Sequence, residues 1–150
     1  MKRKECLTAL ILLAITCTGC LAARNPLIGT WRLDDAKTLR EFQSPTEGSA
    51  ELKASAAKAK AFVEAVAKKL NSNVTLTYTD NKCTEIILDS KGHELSQESF
   101  PYRIVETHKD YIVVDQPNNG APYRVYFEGS SFYVEVKVGD YAYRSYFTKL

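Results

Sequence analysis

Cysteine and histidine, the residues that most often build disulfides and metal sites, are scarce in this sequence. Its 150 residues include four cysteines and two histidines, and three of the cysteines lie within the first twenty residues. Cys83 is the single cysteine of the remaining chain, which excludes an intrachain disulfide there. Together with the isolated His93 and His108, it gives neither a zinc site nor a thiol-exchange motif. The sequence predicts a domain without disulfide, metal or cofactor.

An excess of charge of either sign is also missing. The chain has 20 basic and 18 acidic residues, and residues 2–5 contain three of the basic residues and one of the acids. Without this short segment the basic and acidic residues are equal in number. A neutral domain has no overall field that attracts nucleic acid or anionic lipid, so no nucleic-acid binding is expected.

Motifs of catalysis are absent from the sequence as well. It contains no nucleophile elbow, no phosphate-binding glycine loop and no helix with paired metal ligands. Cys83 has only Lys82 as a cationic neighbour, so we expect a small half-buried side chain rather than a reactive thiol. The sequence therefore favours a non-enzymatic role, and a hydrolase whose site follows no known motif is left as a further hypothesis.

A long hydrophobic run occurs only near the N-terminus. The basic residues 2–4 precede an almost wholly apolar segment, residues 7–15, which is too short to span a bilayer and is typical of a secretory signal. The segment continues into T-C-T-G-C, and Gly19 followed by Cys20 resembles the lipobox of bacterial lipoproteins. The resemblance implies cleavage before Cys20 and acylation of its side chain.

The lipoprotein resemblance divides the chain into a signal peptide over residues 1–19, a lipidated N-terminus and linker over 20–26, and one domain over 27–150. Leu21 stands where retention signals of the inner membrane carry Asp, so the expected location is the outer membrane, facing the periplasm. The acyl chains on Cys20 would supply the membrane affinity that a neutral domain lacks. The alternative is an ordinary secreted protein that is cut nearby and keeps Cys20 as a free thiol.

One helical region interrupts a chain of otherwise strand-like pattern. Residues 34–35, both Asp, can cap a short helix that carries Leu39 and Phe42. The sequence S-P-T-E at residues 44–47 forms a capping box and predicts a helix from there to about Leu70. One narrow face of this helix is apolar and consists of Leu52, Ala56, Ala59, Val63, Val66 and Leu70. The helix is predicted to cover the sheet, and the alternative is a helix that lies on a membrane surface.

The remaining chain alternates between apolar and polar residues with a period of two. The pattern predicts a first strand at residues 27–34 and later strands at 74–79, 83–89, 98–107, 111–116, 122–128, 131–138 and 141–149. Most of the links are short enough for hairpins, so the strands form an antiparallel meander. About eight strands with an early helix predict a mainly β fold, an up-and-down barrel in which the helix covers an opening or an open edge.

The last two hairpins allow strand pairing to be predicted residue by residue. A two-residue turn at residues 129–130 pairs Phe127 with Phe132, and another at 139–140 pairs Phe132 with Phe147. The two registers agree and give one apolar face that is suited to the interior. The opposite face is mixed and carries Arg124, Tyr126, Tyr133, Glu135, Arg144 and Tyr146.

The first strand contains Gly29, Thr30 and Trp31, and this G-T-W ahead of a helical insert and a β-meander resembles the calycin superfamily of lipocalins and fatty-acid-binding proteins. In that superfamily the tryptophan closes one end of the barrel, so Trp31 is expected to be a packing residue. As a whole, the chain resembles the small lipocalin-like lipoproteins of bacteria. The resemblance implies a lipocalin-like barrel with an internal cavity.

Arg124, Arg144 and Tyr146 have the spacing with which fatty-acid-binding proteins hold a carboxylate inside the barrel. The resemblance implies that these three residues bind the ligand, because guanidinium groups in a poorly hydrated cavity hold carboxylates through charge-assisted hydrogen bonds. The alternative is that Glu135 neutralises both arginines in an exposed cross-strand ladder of little energetic value. The second interpretation agrees with the more apolar character of the opposite face.

These observations define two main hypotheses on function. The first is a lipid-anchored, periplasm-facing binding protein for a fatty acid or another small hydrophobic ligand, with no cofactor. The alternative is a protein-interaction module of the envelope, such as an assembly factor or a hydrolase inhibitor, in which side chains fill the barrel.

Overall fold

The computed structural model describes residues 24–70, 73–117 and 120–150. The predicted signal peptide and Cys20 lie outside these residues. The elements are β1 (Gly29–Leu33), α1 (Asp35–Arg40), α2 (Ala50–Leu70), β2 (Val74–Tyr78), β3 (Lys82–Leu88), β4 (Glu94–Pro101), β5 (Arg103–Thr107), β6 (Tyr111–Asp115), β7 (Tyr123–Glu128), β8 (Ser131–Val138) and β9 (Tyr141–Lys149).

All nine strands belong to one antiparallel sheet. Its order is β4-β3-β2-β1-β9-β8-β7-β6-β5, so every pair of neighbours except β1 and β9 is consecutive in the chain. The predicted mainly β, up-and-down arrangement is confirmed, as is the position of the helical insert directly after β1. The sheet is curled, and this curl brings β2 to β4 and β7 to β9 around one common cavity.

The predicted strand over residues 98–107 is wrong. The structure has two strands there, β4 and β5, which are joined by Tyr102 alone and lie at opposite ends of the sheet order. Pro101 has no N–H to continue the ladder, and the Tyr102 ring turns inward, where it is buried and its hydroxyl donates to the Thr79 carbonyl. No pairing joins β4 to β5 among the described residues, so the nine-stranded sheet differs from a closed barrel of about eight strands.

The two predicted helices are both present, and the start of the second differs from the prediction. Asp34 caps α1, since its carboxylate accepts from the Lys37 N–H at 2.8 Å. The capping box at residues 44–47 does not start α2. Gly48 takes a φ of +115°, which keeps the chain out of a helix, and Ser49 then caps α2 by accepting from the Leu52 N–H at 3.1 Å.

The apolar face of α2 packs against the inner surface of the sheet near the turn between β8 and β9. Its buried residues Ala56, Ala59 and Val63 contact Tyr141 and Tyr143. A Cβ at Gly139 of that turn would lie only 2.6 Å from the Ser55 hydroxyl, so the turn and the helix approach closely. Neither described helix is long and apolar enough to cross a membrane.

The predicted registers of the last two hairpins are confirmed. Phe127 pairs with Phe132, Phe132 with Phe147, and Glu135 with Arg144. These pairs alternate between the two faces of the sheet, and the phenylalanines lie on the inner face with the main core. Trp31 belongs to that core at 3% exposure, and its Nε1 donates to the Leu27 carbonyl at 2.7 Å.

Candidate functional site

The inner face of the curled sheet encloses an open cavity of about 290 Å³. Strands β2, β3, β4, β7, β8 and β9 all contribute to it, so no local segment of the chain forms the cavity alone. Its lining consists of Leu76, Tyr78, Cys83, Glu85, Phe100, Gln116, Tyr123, Phe132, Val134, Glu135 and Phe147. The interior of this part of the protein is therefore not filled by side chains.

Five of the eleven residues that line the cavity are aromatic. Phe132 is 1% exposed, and its ring stacks on Phe147 at a centroid distance of 4.9 Å and meets Trp31 edge-on at 4.8 Å. Tyr78, Phe100 and Tyr123 line the cavity from other strands. Rings held by such packing lose little conformational entropy when a ligand binds, because they are already ordered.

A buried polar cluster lies beside this aromatic wall. The Tyr78 hydroxyl lies within hydrogen-bonding reach of the Cys83 thiol and the Tyr123 hydroxyl. Burial raises the pKa of Cys83 to about 11 and that of Tyr123 to about 12, and it raises the pKa of Tyr78 well above its ordinary value. All three groups are neutral at pH 7, and the fully buried Cys83 is protonated rather than a reactive thiolate.

Glu85 is the half-buried acidic group of the cavity. It shares the inner face of β3 with Cys83, and it pairs across the strands with Glu98 of β4. Burial, and then the negative charge of Glu98, raise the pKa of the Glu85 carboxyl. No Lys, Arg or His occurs among the described residues that line the cavity.

The structure places Arg124, Arg144 and Tyr146 outside this cavity. All three side chains belong to the outer face of the sheet, one residue out of phase with the inner residues Val125, Ser145 and Phe147. The expectation that they meet a carboxylate inside the barrel is therefore corrected. Strand alternation is the reason, since the spacing of these residues along the chain does not determine which face is concave.

Four tyrosines on the outer face form a ladder across β6, β7, β8 and β9. Tyr111, Tyr126, Tyr133 and Tyr146 contact one another in this order, with centroid distances of 5.3, 4.9 and 5.3 Å. Tyr146 is only 2% exposed, because α1 covers it and the Lys37 ammonium lies 4.3 Å from its ring centre. We call these residues the tyrosine ladder, and its contacts indicate a structural role.

Arg124 and Arg144 lie over rings of the tyrosine ladder and form no ion pair among the described residues. The Arg124 guanidinium lies 5.1 Å from the Tyr111 ring centre, and that of Arg144 lies 4.5 Å from Tyr133. Glu135 is opposite Arg144 in the register, yet none of the ion pairs of the described residues includes it. The predicted neutralisation of both arginines by Glu135 is therefore wrong, and cation–π contacts take its place.

A second, larger groove of about 500 Å³ lies near the first described residues. Its floor is apolar, with Ile104, Ile112 and Phe127, and its rim carries the basic residues Arg24 and Lys109. Among the described residues, no group of three or more potential metal ligands comes together.

The residues that characterise the cavity, Tyr78, Glu85 and Tyr123, were not predicted from the sequence. Tyr78 and Glu85 come from the neighbouring strands β2 and β3, whereas Tyr123 comes from β7, which is distant from both in sequence. The available signal was Glu85 itself, a charged residue between Cys83 and Ile87 at a position where strand alternation expects an apolar side chain. A charge at such a position conflicts with the local strand pattern, and such conflicts are expected at functional sites.

Comparisons with known proteins identify no family. No protein-family model matches the chain, and no curated protein matches it. Among solved structures, the chain is similar to the fluorescent protein UnaG, with 13% identity, coverage of 82% of this chain and 96% of that one, and a TM-score of 0.36. It is also similar to a Schistosoma mansoni fatty acid binding protein in complex with arachidonic acid, with 15% identity, coverage of 83% and 96%, and a TM-score of 0.39.

Proposed function

We propose that this protein binds a small, largely apolar molecule in its internal cavity and is tethered by an acylated Cys20 to a membrane of the bacterial envelope. The cavity of about 290 Å³ carries the first part of the proposal. Its volume is near the lower end of the range of ligand pockets, about 300–1,000 Å³. At about 30 Å³ per water molecule, it has room for roughly ten waters.

The composition of the wall supports a binding role. Most lining residues are aromatic or aliphatic, and the polar groups are few and clustered, namely Glu85, Gln116 and the hydroxyls of Tyr78 and Tyr123. An apolar wall with a few convergent polar groups is the usual composition of a site that binds and orients a small molecule. The neutral, protonated state of Cys83 favours binding over thiol chemistry at the same place.

Titration of the protein with octanol, followed by amide chemical shifts, tests the cavity. We expect saturable shifts at Tyr78, Phe132 and Val134, with a dissociation constant that rises at least tenfold in Val134→Phe, whose ring would occupy the cavity. Val105→Phe is the matched control, since Val105 is 44% exposed and lies outside the cavity. Absence of saturable shifts, or equal affinity in both variants, would contradict the proposal.

The anchor is supported by the chain on both sides of Cys20. The preceding apolar segment resembles a lipoprotein signal, and the chain beyond it has no net charge that could hold it at a membrane. Metabolic labelling with a palmitate analogue in a bacterial host tests this part. We expect label in the wild type and in Cys83→Ser, and none in Cys20→Ser. Labelled Cys20→Ser protein would refute the anchor, with no effect on the cavity proposal.

A further inference from the structure

We infer that the cavity selects a small organic cation, such as an amine on an apolar body, and that the Glu85 carboxylate is its charge partner. This inference rests on the proposed binding function and names the class of its ligand. It differs from a fatty-acid carboxylate, the ligand that the spacing of Arg124 and Arg144 implied.

The charges at the cavity wall have one sign. Glu85 lines the cavity from the inner face of β3, and Glu98 pairs with it on the neighbouring strand. No basic side chain is present among the described lining residues to compensate them. A bound carboxylate would meet like charges in a partly desolvated space, whereas a bound ammonium would meet an opposite charge.

The aromatic side chains of the cavity wall also favour a cation over an anion. Tyr78, Phe100, Tyr123, Phe132 and Phe147 line the cavity that contains Glu85. The face of an aromatic ring carries negative electrostatic potential and attracts ammonium groups, most strongly where water is excluded. Aromatic rings beside one carboxylate therefore provide both contacts that a cation with an apolar body needs.

The two arginines do not alter this balance. Their guanidinium groups lie on the outer face, over Tyr111 and Tyr133, so they cannot hold a carboxylate within the cavity. Glu85, by contrast, stays at a position where burial and Glu98 oppose its ionisation. A charge that is kept at a cost in stability is characteristic of functional sites.

The experiment compares octylamine, octanol and octanoate, which share one chain length and differ in head-group charge. Affinities are measured at pH 7 by isothermal titration calorimetry with the wild type, Glu85→Gln and Glu64→Gln. Glu64 lies on the exposed side of α2 and its substitution makes the same change in net charge. We expect octylamine to bind about tenfold more tightly than octanol, and octanoate more weakly than both.

The variants assign the preference to one carboxylate. In Glu85→Gln the advantage of octylamine over octanol should be lost while octanol binding persists, and Glu64→Gln should behave as the wild type. Equal affinities for the three probes, tightest binding of octanoate, or an amine preference that survives Glu85→Gln would overturn the inference and leave the binding function intact. Binding of none of the three probes would instead refute the proposed function itself.

Discussion

Phe132 connects the stability of this protein to its cavity, and its replacement by alanine tests both. The side chain is 1% exposed, lies on the cavity wall and contacts the rings of Trp31, Phe127 and Phe147. Substitution of a buried Phe by Ala costs about 3–5 kcal/mol. We expect a value near 3 kcal/mol, because the space that is vacated joins an existing open cavity rather than forming a closed void.

The corresponding change in melting temperature follows from the size of the domain. A domain of about 125 residues has an unfolding entropy near 0.26 kcal/mol/K, so a loss of about 3 kcal/mol in Phe132→Ala should lower Tm by about 12 °C. Thermal and urea unfolding, followed by circular dichroism, measure the loss. Phe132→Leu, which keeps most of the volume, should cost less than about 1.5 kcal/mol and remain folded for the same measurement.

Phe62→Ala is the matched control for Phe132→Ala. The Phe62 side chain is 61% exposed on α2, so its removal should change stability by no more than about 0.5 kcal/mol. If Phe132→Ala lowers the free energy of unfolding by less than about 1 kcal/mol, or by no more than Phe62→Ala does, Phe132 does not pack at the junction of core and cavity.

Three further perturbations examine other parts of the structure. Ser49→Ala should lower the free energy of unfolding in urea by about 1 kcal/mol, because Ser49 caps α2, while Ser44→Ala should have little effect. A larger loss in Ser44→Ala than in Ser49→Ala would instead support a helix that starts at the capping box of residues 44–47. Arg144→Ala should cost about 0.5–1 kcal/mol through its lost cation–π contact and leave octanol affinity unchanged, with the exposed Arg40→Ala as control. Glu85→Gln should raise Tm at pH 7, since the raised pKa of Glu85 means that folding opposes its ionisation, and this gain should vanish below the ordinary glutamate pKa. A Glu85→Gln variant that is no more stable than the wild type at pH 7 would contradict that assignment.

Local sequence determines much of the strand pairing in this fold. The turns at Gly129 and Gly139 adopt φ values of +59° and +58°, which glycine accepts without strain, and the two-residue links then set both registers. The period-two pattern of Val125, Phe127 and Phe132 also indicates the inner face correctly. These features depend on residues that are close in sequence, which explains their success.

Features that depend on distant contacts were not predictable in the same way. The break at Tyr102 is stabilised by Thr79 and Asn25, the second of which donates to the Tyr102 hydroxyl at 2.7 Å, and neither is near it in sequence. The start of α2 was mispredicted because Ser44 and Ser49 are both competent caps, and the conformation of Gly48 decides between them. The cavity was missed because no single strand forms it.

The pairing of β1 with β9 has a consequence for how the protein reaches its native state. This pair joins Arg32 to Thr148 at the middle of the sheet, across a separation of more than a hundred residues. Until it forms, the chain consists of two half-sheets, β1 to β4 and β5 to β9, and each half exposes an edge that the native protein covers. Contacts of such long sequence separation slow folding. A newly made chain therefore exposes both of these edges for longer than a chain whose sheet forms from local hairpins alone.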